Sequence, residues 1–576
     1  MPKKTPNPYS RDCSKTGEVE SVSEAVGGDS SRRRFLQKVS GAALAAAMVG
    51  QGNARRVAIA ASPVRTRAEI TVGSRRQLLF DDFFLGRGSA KYDSYPHNIR
   101  WTLGKVEKSS NQSLLFADKP WEDSIAWTCV LHDEGRHRLW YHLDKQSARV
   151  KGKLPEASVC GYAESDDGLN WKKPLFKHVE RWGFRENNIV FDGGPDAWSM
   201  ELGNVFKDPG ALPKERYKML YPCWESKAIY GAVEGVPYVG QGGVLRGAHS
   251  PDGIHWSRYP HIFLGRYTDS QNVATHDPVL GKYVAYIRDT STYGDLDVGE
   301  HPVKATRRGR AVSRIESDDY RSWSYPELAF AGDFQDGLGV DFYNPGYAHY
   351  DGAENAHFLF PSALHHRDGR LQVQVAVSRD NRRWLRPTRD AFIPMGANGD
   401  FDDYWISVSP GFVPAGTDHL ALYYRAMNTP HSGAVKHLAP KGRESRVGMG
   451  RVLFKRDRIV GIEAGPGEGA FWTRPLLFEG RRLVLNAEPT GPDPQLQVEL
   501  VGVGVEPAYR SSRGKYMADA PASGHTFEEC IPLTGDVLDG VMRWKRGADL
   551  GQWSGKPVRL HFRLRNMRVY AFQFVG

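Results

Sequence analysis

The sequence predicts an all-β protein in which a five-bladed β-propeller is followed by a C-terminal β-sandwich. A turn of the form Ser-x-Asp, with a Trp four residues after the Asp, occurs four times at the end of an apolar stretch. Two further strand-like runs precede each copy, and beyond about Phe471 the Trp turns stop and alternating strands take over. Strand-rich repeats of many tens of residues are typical of propellers.

The repeated turn has a simple physical basis. The Ser and Asp side chains fold back onto turn amides, and the Trp packs under the next strand. Gly168 and Gly253 follow the Asp in two copies. The alternative is four unrelated turns, which the common order of strand, turn and aromatic residue disfavours. The copies are Ser165-Asp167-Trp171, Ser250-Asp252-Trp256, Ser317-Asp319-Trp323 and Ser378-Asp380-Trp384.

The repeats set the predicted domain boundaries: a strand-rich lead-in at 61–109, the propeller at 110–465 and the β-sandwich at 466–576. A fifth blade lacks the Trp turn but keeps three strands, around a turn at Asp457. The blades comprise 125–132, 138–143 and 159–164; 202–206, 217–223 and 244–249; 272–275, 283–288 and 311–316; 341–347, 356–362 and 371–377; and 405–413, 419–426 and 447–454.

Residues 1–60 resemble a twin-arginine export signal. The motif is Ser31-Arg32-Arg33-Arg34-Phe35-Leu36, followed by an Ala-rich segment at 39–49 and a small-x-small site at 58–60. A buried helix or a basic nuclear-type patch is the alternative. Because the apolar segment is too short to span a membrane stably, we expect a periplasmic or secreted protein with no stable membrane anchor.

Charge and cysteine content exclude some functions. The chain has a net charge of +10, but residues 61–576 hold 67 Lys and Arg against 62 Asp and Glu, a net charge of +5. Without a dense basic run, nucleic acid is not an expected partner, whereas an anionic polysaccharide suits a positive funnel. The spacing of Cys129, Cys160, Cys223 and Cys530 matches no zinc motif and indicates no disulfide.

Several further segments carry a family resemblance. They are Gln77-Leu78-Leu79-Phe80-Asp81-Asp82, Asp118-Lys119-Pro120-Trp121-Glu122, the turn at 162–168, Asp269-Ser270-Gln271-Asn272 with Asp277-Pro278 and 283–288, and the tail segments 556–560 and 570–574. With them, most of residues 70–576 resembles secreted bacterial proteins described as similar to glycoside hydrolase family 32. The resemblance implies a five-bladed propeller joined to a β-sandwich that acts on sugars, and it leaves the sugar open.

Cleavage of a glycosidic bond needs one acid to protonate the leaving oxygen and one carboxylate to attack the sugar or activate water. Such groups must converge on the propeller axis, where the inner strands lie. Taken alone, each acid is better explained as a solvated loop residue or a strand cap than as a catalytic group, whereas the recurrence of the acids at equivalent blade positions favours catalysis. The candidates are Glu122, Asp123, Glu201, Asp269, Asp341 and Asp402, the last with its neighbour Asp403.

The chain departs from the family pattern at the motifs that matter for catalysis. Family 32 enzymes carry an Asn-Asp-Pro nucleophile motif, an Arg-Asp-Pro motif and a Glu-Cys motif with the general acid. The nearest substitutes here are Trp121-Glu122-Asp123, Thr275-His276-Asp277-Pro278 and Cys223-Trp224-Glu225. The invertase-like mechanism and fructan specificity are therefore not carried over, since fold analogy alone is a weak argument.

Aromatic and basic residues near the inner strands are the predicted substrate-binding groups. Aromatic faces can stack on sugar rings, whereas Arg and His can bind hydroxyl, carboxylate or sulfate groups. Blade packing is the alternative for the aromatic residues. The candidates are Trp121, Trp127, His276, Arg288, Tyr343, Trp405, Arg425 and His431.

Three functional hypotheses follow. The first is a secreted glycoside hydrolase that uses funnel carboxylates. The second is a sialidase-like enzyme, which requires a Tyr nucleophile and three clustered Arg residues, and the third is a non-catalytic carbohydrate-binding propeller. No organic cofactor or catalytic metal is expected, and a structural calcium ion in the channel is left open. The sequence leaves the oligomeric state open.

Overall fold

The computed structural model describes residues 69–86, 95–145, 158–195, 197–225, 243–265, 268–289, 309–336, 339–431, 442–511 and 514–576. All of them belong to one unit of the chain, Thr66–Gly576. The predicted export signal at 1–60 lies outside the described residues, so periplasmic or secreted localisation stays a prediction. The described part contains strands and two short 3₁₀ helices, Pro213–Glu215 and Gly551–Trp553.

Strands that pair antiparallel within each blade form the five propeller blades, in chain order, and a parallel contact of Leu371 with Trp405 joins blades 4 and 5. Blade 1 consists of Ser124–Asp133, Arg136–Asp144, Ser158–Ser165 and Ile189–Phe191. Blade 2 consists of Ala197–Met200, Asn204–Lys207, Tyr217–Glu225, Gly243–Ser250 and Ser257–Arg258. Blade 3 consists of Val273–Asp277, Lys282–Asp289, Ala311–Ser317 and Glu327–Phe330.

Blades 4 and 5 have interrupted inner strands. Blade 4 consists of Val340–Tyr343, Ala348–His349, His357–Leu359, Ser362–His365, Arg370–Val373 and Ala376–Ser378. Blade 5 consists of Trp405–Val408, Val413–Ala415, His419–Met427, Val447–Lys455 and, as its outer strand, Glu107–Lys108. The last pair joins the N-terminal lead-in to blade 5, with Lys108 opposite Val452.

Apolar clusters fill the space between successive blades and close the ring. Blades 5 and 1 share a core around Tyr423 and Leu139, and blades 1 and 2 share one around Trp140. Further clusters join blades 2 and 3, 3 and 4, and 4 and 5. The cluster between blades 4 and 5 also contains Leu78 and Ala571 from the β-sandwich. The architecture is the predicted five-bladed propeller followed by a β-sandwich.

Two sheets make the β-sandwich. One comprises Ile70–Gly73, Leu85–Gly86, Gly469–Thr473, Leu476–Phe478, Gln495–Ser511, Gly514–Pro521 and Val558–Arg565. The other comprises Gln77–Leu78, Arg100–Leu103, Val460–Ala464, Arg482–Pro489, Val537–Val541 and Met567–Val575. A small hairpin-like pair, Cys530–Ile531 and Arg543–Trp544, lies beside them.

The sandwich therefore extends beyond the segment predicted for it. Four lead-in strands take part, and Val460–Ala464, which the prediction assigned to the propeller, pairs with Arg100–Leu103 and Met567–Val575. The physical reason is that these strands bury one face in the sandwich core, where Ile462 packs with Phe471 and Phe562. Short strands whose partners are distant in sequence carry little local signal of the sheet they join.

The four Ser-x-Asp turns adopt one common conformation. In the first, Ser165 Oγ donates to Asp167 Oδ1 at 2.9 Å, and the amides of Leu169 and Asn170 donate to the same carboxylate at 2.8 Å. These bonds hold the pKa of Asp167 well below its ordinary value, chiefly through the Asn170 amide. The residue after the Asp has a positive φ in all four copies, which are Gly168, Gly253, Tyr320 and Asn381.

The turn Trp residues occupy equivalent sites, as the repeat predicts. Trp171, Trp256, Trp323 and Trp384 pack against successive inter-blade clusters, each between its own blade and the preceding one. Trp323 is buried, with 7% of its surface exposed, and the other three are half-buried. Each turn thus helps to fasten one blade to its neighbour.

We expect Gly253→Ala to destabilise the protein more than Gly135→Ala does. Both glycines have a positive φ, 78° and 75°, so either substitution costs about 1–2 kcal/mol of backbone strain. A Cβ at Gly253 would lie 2.6 Å from Trp140 Cζ2, whereas a Cβ at Gly135 meets no atom within 4 Å. Overpacking adds roughly 1–3 kcal/mol at Gly253 alone. The midpoints of urea unfolding measure the difference, and equal midpoints would contradict it.

Candidate active site

Polar groups from all five inner strands meet at the propeller axis. The Gln271 amide donates to the carbonyl oxygens of Thr128 at 2.8 Å and Gly203 at 3.1 Å, which joins blades 1, 2 and 3. Asn344 accepts from the Ser270 hydroxyl at 2.5 Å. Blade 5 is joined through Ser407, which accepts from the Asn344 amide at 2.9 Å, and Ser409, which contacts the Thr128 hydroxyl at 2.5 Å. These contacts fix the positions at which the inner strands enter the funnel.

Residues from blades 1, 2 and 5 form one side of the funnel mouth. The Trp127 indole N–H donates to Glu201 Oε2 at 3.3 Å. Arg425 Cζ lies 4.8 Å from the Trp127 ring centroid and 4.2 Å from that of Trp405. The two indole rings are 6.2 Å apart with an edge-on arrangement. A carboxylate, a guanidinium and two indole rings are therefore in contact.

Aromatic contacts continue from this corner to blades 3 and 4. The His431 ring lies 4.6 Å from Trp405 and 4.7 Å from Tyr343, between centroids. The guanidinium of Arg310 stacks on the Tyr343 ring, with Cζ 3.9 Å from the ring centroid. This distance is short enough for a cation–π interaction.

Asp269 is the acidic group on the blade 3 side. Its carboxylate forms an ion pair with Arg288 and a second one with Arg310, the latter at 3.3 Å. The two guanidinium groups neutralise and orient this carboxylate. Because Arg310 also stacks on Tyr343, Asp269 is connected to the same row of side chains as Glu201.

Asp341 is the acidic group of blade 4. It stands two positions before Tyr343 on the inner strand Val340–Tyr343, so both side chains point to the same face. His366 Nε2 lies 2.8 Å from Asp341 Oδ2. Glu201, Asp269 and Asp341 thus come from three neighbouring blades, and Asp341 shares a strand face with Tyr343. The residues of this rim group are Trp127, Glu201, Asp269, Arg288, Arg310, Asp341, Tyr343, His366, Trp405, Arg425 and His431.

Glu122 lies away from the rim group. Its carboxylate is fully buried and accepts from Lys173 Nζ at 2.5 Å, the Tyr141 hydroxyl at 2.6 Å and the Asp118 amide at 3.1 Å. Burial, together with the Glu122 charge, raises the pKa of Tyr141 well above its ordinary value, so this hydroxyl stays protonated and donates. With its acceptor sites engaged by blade 1, Glu122 is a structural acid.

Two other predicted catalytic acids pair with lysines that are not members of the rim group. Asp123 is exposed and pairs with Lys145 at 2.9 Å. Asp402 is buried in blade 5, where it accepts from Lys108 Nζ at 2.7 Å and from the Tyr424 hydroxyl at 2.9 Å. Since Lys108 belongs to the outermost strand of that blade, Asp402 faces away from the axis. Its neighbour Asp403 pairs with Arg443 at 2.6 Å.

Trp121 and His276 are likewise placed elsewhere. Trp121 is buried between blades 5 and 1, and its indole N–H donates to Asn188 Oδ1 at 2.7 Å. His276 lies near the end of the strand Val273–Asp277, with its ring 5.2 Å from that of Tyr283. The rim group lies at the beginning of the inner strands, so His276 is at the far end. Blade packing explains both residues.

The sequence interpretation missed Arg310 and His366. Arg310 is the last residue before the strand Ala311–Ser317, and His366 follows directly after Ser362–His365. Both positions belong to connections on the side of the inner-strand starts, where insertions build specificity. The basic run Arg307-Arg308-Gly309-Arg310 was the available signal for the first, and the His365-His366 pair was the signal for the second.

The described part of the chain shows neither a metal-binding cluster nor a reactive thiol. Within it, no group of three His, Cys, Asp or Glu side chains is arranged to hold a metal ion. The four cysteines there are buried. Burial raises the pKa of the Cys129 thiol to about 12 and that of Cys530 to about 11, which disfavours the reactive thiolate.

Across the described residues, no helix is long and apolar enough to cross a membrane.

Fold and site together define a propeller–sandwich protein whose funnel mouth carries carboxylates, aromatic rings and guanidinium groups. No family model matches the sequence, and no curated protein matches it, so the resemblance to family 32 stays a prediction.

Among solved structures, the chain is similar to an N-acetylgalactosamine deacetylase from F. plautii, with 13% identity, a TM-score of 0.40 and coverage of 63% of this chain and 96% of that one. It is also similar to a glycosyl hydrolase from Bacteroides ovatus, with 16% identity, coverage of 62% and 95% and a TM-score of 0.37. A third is a β-1,2-mannobiose phosphorylase from Listeria innocua, with 12% identity, coverage of 61% and 97% and a TM-score of 0.39. A similarity at this level assigns no chemistry to this chain.

Proposed function

We propose that this protein hydrolyses glycosidic bonds of an oligo- or polysaccharide bound at the funnel mouth. The observation that carries the proposal is the row of contacts that links Glu201, through the rings of Trp127 and Trp405, to Asp269, with Asp341 on the same strand face as Tyr343 in that row. Glycoside hydrolysis needs two carboxyl groups that flank one bond, and sugars bind well against aromatic faces. Neighbouring blades supply both components here.

The partners of the three carboxylates support a division of roles. Asp269 is held between Arg288 and Arg310, an arrangement that suits a charged group that orients substrate hydroxyls. Among the described residues, neither Glu201 nor Asp341 forms an ion pair with an Arg or Lys side chain, and their hydrogen-bond partners are Trp127 and His366. We therefore assign the acid and the nucleophile or base to Glu201 and Asp341.

The rim group also bears on the sialidase-like alternative. Such a site needs three guanidinium groups that converge on one substrate carboxylate beside a Tyr nucleophile. Arg288 and Arg310 instead converge on Asp269, while Arg425 is linked to them through the intervening rings of Trp405, His431 and Tyr343. Tyr343 is itself buried under Arg310. These contacts favour carboxylate catalysis.

A screen of the purified protein against plant and algal glycans tests the proposal. We expect at least one glycan to yield new reducing ends, measured by a reducing-sugar assay, and Asp269→Asn and Asp341→Asn to lose this release. Retention on an insoluble glycan, followed by gel, reports binding separately. Binding of a glycan without release from any member of the panel would contradict hydrolysis and favour a non-catalytic carbohydrate-binding propeller.

A further inference from the structure

Arg425 carries an unsatisfied positive charge at the funnel mouth. It lies on the strand His419–Met427, is 8% exposed, and its Nη2 contacts Met427 Sδ at 3.1 Å. Its Nε and Nη1 atoms are buried and have no hydrogen-bond partner among the described residues. This arrangement is costly, because the N–H groups on Nε and Nη1 have lost water without a replacement acceptor among the described residues.

The surroundings of Arg425 hold the guanidinium at the axis side of blade 5. Trp127 of blade 1 and Trp405 of blade 5 contact it through their rings. Burial lowers its pKa to about 10, while Glu201 and Asp144 act in the opposite direction from further away. The group therefore remains cationic at neutral pH, and within the described parts of the chain no carboxylate forms an ion pair with it.

Arg425 differs in this respect from Arg288 and Arg310. Those two residues share the carboxylate of Asp269, so their charge is compensated inside the protein. Arg425 has aromatic and thioether contacts instead. A buried polar group without a partner in a folded protein calls for an explanation such as an external ligand.

We propose that the substrate is an acidic sugar chain and that Arg425 binds its anionic group, a carboxylate or a sulfate ester. This inference rests on the proposed function for the identity of the site, and it adds the substrate class. The anion supplies the missing acceptors for Nε and Nη1. Since these atoms are closed to solvent, the half-buried Trp127 indole moves aside on binding, and its hydrogen bond to Glu201 is released.

Matched pairs of glycans test the proposal without any need for turnover. The probes are oligogalacturonate against its fully methyl-esterified form, and a sulfated galactan against the same galactan after desulfation. Calorimetry with the wild-type protein should show at least tenfold tighter binding of the charged member in one pair. The first pair identifies a carboxylate as the bound group, and the second identifies a sulfate.

The variant Arg425→Met links the preference to this residue. Methionine preserves much of the length and apolar packing, and replacement of a buried charge by an apolar side chain is often neutral or stabilising, so the fold should be kept. We expect the charged preference to fall to within about twofold, because the charged member loses the guanidinium donors that bind its anionic group. Arg425→Lys, which keeps the charge but has a single nitrogen, should retain only part of the preference.

Two results would overturn the inference. One is the absence of a charged preference in both pairs with the wild-type protein, and the other is a preference that persists in Arg425→Met. Because the readout is binding, a protein that prefers charged glycans but releases no sugar would refute the proposed hydrolysis and leave the anion site standing.

Discussion

Replacing Glu201 by Gln or Asp341 by Asn is expected to lower glycan turnover by about 10²–10⁴-fold, the contribution typical of a positioned acid or base. Each substitution keeps the shape of the side chain and the contact with Trp127 or His366, while it removes the ability to exchange a proton or carry the charge. Binding of the glycan should change little. Initial rates of reducing-sugar release, with binding measured on the same samples, check both expectations.

Asp418→Asn is the matched control for these two variants. Asp418 is an exposed acid just before the strand His419–Met427, at the opposite end of that strand from Arg425. Its only close cationic neighbour among the described residues is Arg456 at 3.9 Å. Turnover should stay at the wild-type level. If Glu201→Gln and Asp341→Asn behaved like this control, neither residue would belong to the mechanism.

Arg458→Ala is expected to cost about 3–5 kcal/mol of stability, because it leaves buried acceptors without their cation. Arg458 is 2% exposed at the junction of propeller and sandwich. It donates to Asn486 at 2.8 Å, Glu488 at 2.9 Å and Asp536 at 2.6 Å. The urea midpoint, followed by tryptophan fluorescence and far-ultraviolet circular dichroism, measures the loss.

The neighbouring Arg456 provides the comparison. It is in the same turn but one quarter exposed, and it pairs with Asp539 at the surface. Exposed ion pairs contribute about 0–1 kcal/mol, so Arg456→Ala should barely move the midpoint. Equal shifts for Arg456→Ala and Arg458→Ala would show that burial of the junction network is not what stabilises it.

Much of the fold was predictable because its signals are local. Each Ser-x-Asp turn is encoded by six consecutive residues, 165–170 in the first copy, in which the Asp carboxylate accepts from nearby backbone amides, as Asp167 does. The closing strand Glu107–Lys108 has no such signal. Two residues are too few for a period, and their partners Val452 and Leu453 are in the last blade. The lead-in strands of the sandwich are equally short and have distant partners, so the sequence did not predict the sheets that they join.

The candidate site was predictable only in part, because partners distant in sequence decide what an acid does. Glu122 and Glu201 both stand near the start of an inner strand. Lys173 and Tyr141 engage the first, whereas the second faces Trp127 at the funnel mouth. Nothing local to either residue distinguishes them. Recurrence at equivalent blade positions located the mouth, and tertiary contacts selected the members of the rim group.

The most direct test of carboxylate-driven hydrolysis is the fate of oxygen from water during cleavage. The reaction is run in water enriched in oxygen-18 with a glycan that the protein degrades, and the product is analysed by mass spectrometry. Hydrolysis predicts one labelled oxygen at the anomeric carbon of each newly formed reducing end, with label formation lost in Glu201→Gln and Asp341→Asn. Chain cleavage that leaves the reducing end unlabelled and creates an unsaturated sugar instead would contradict it.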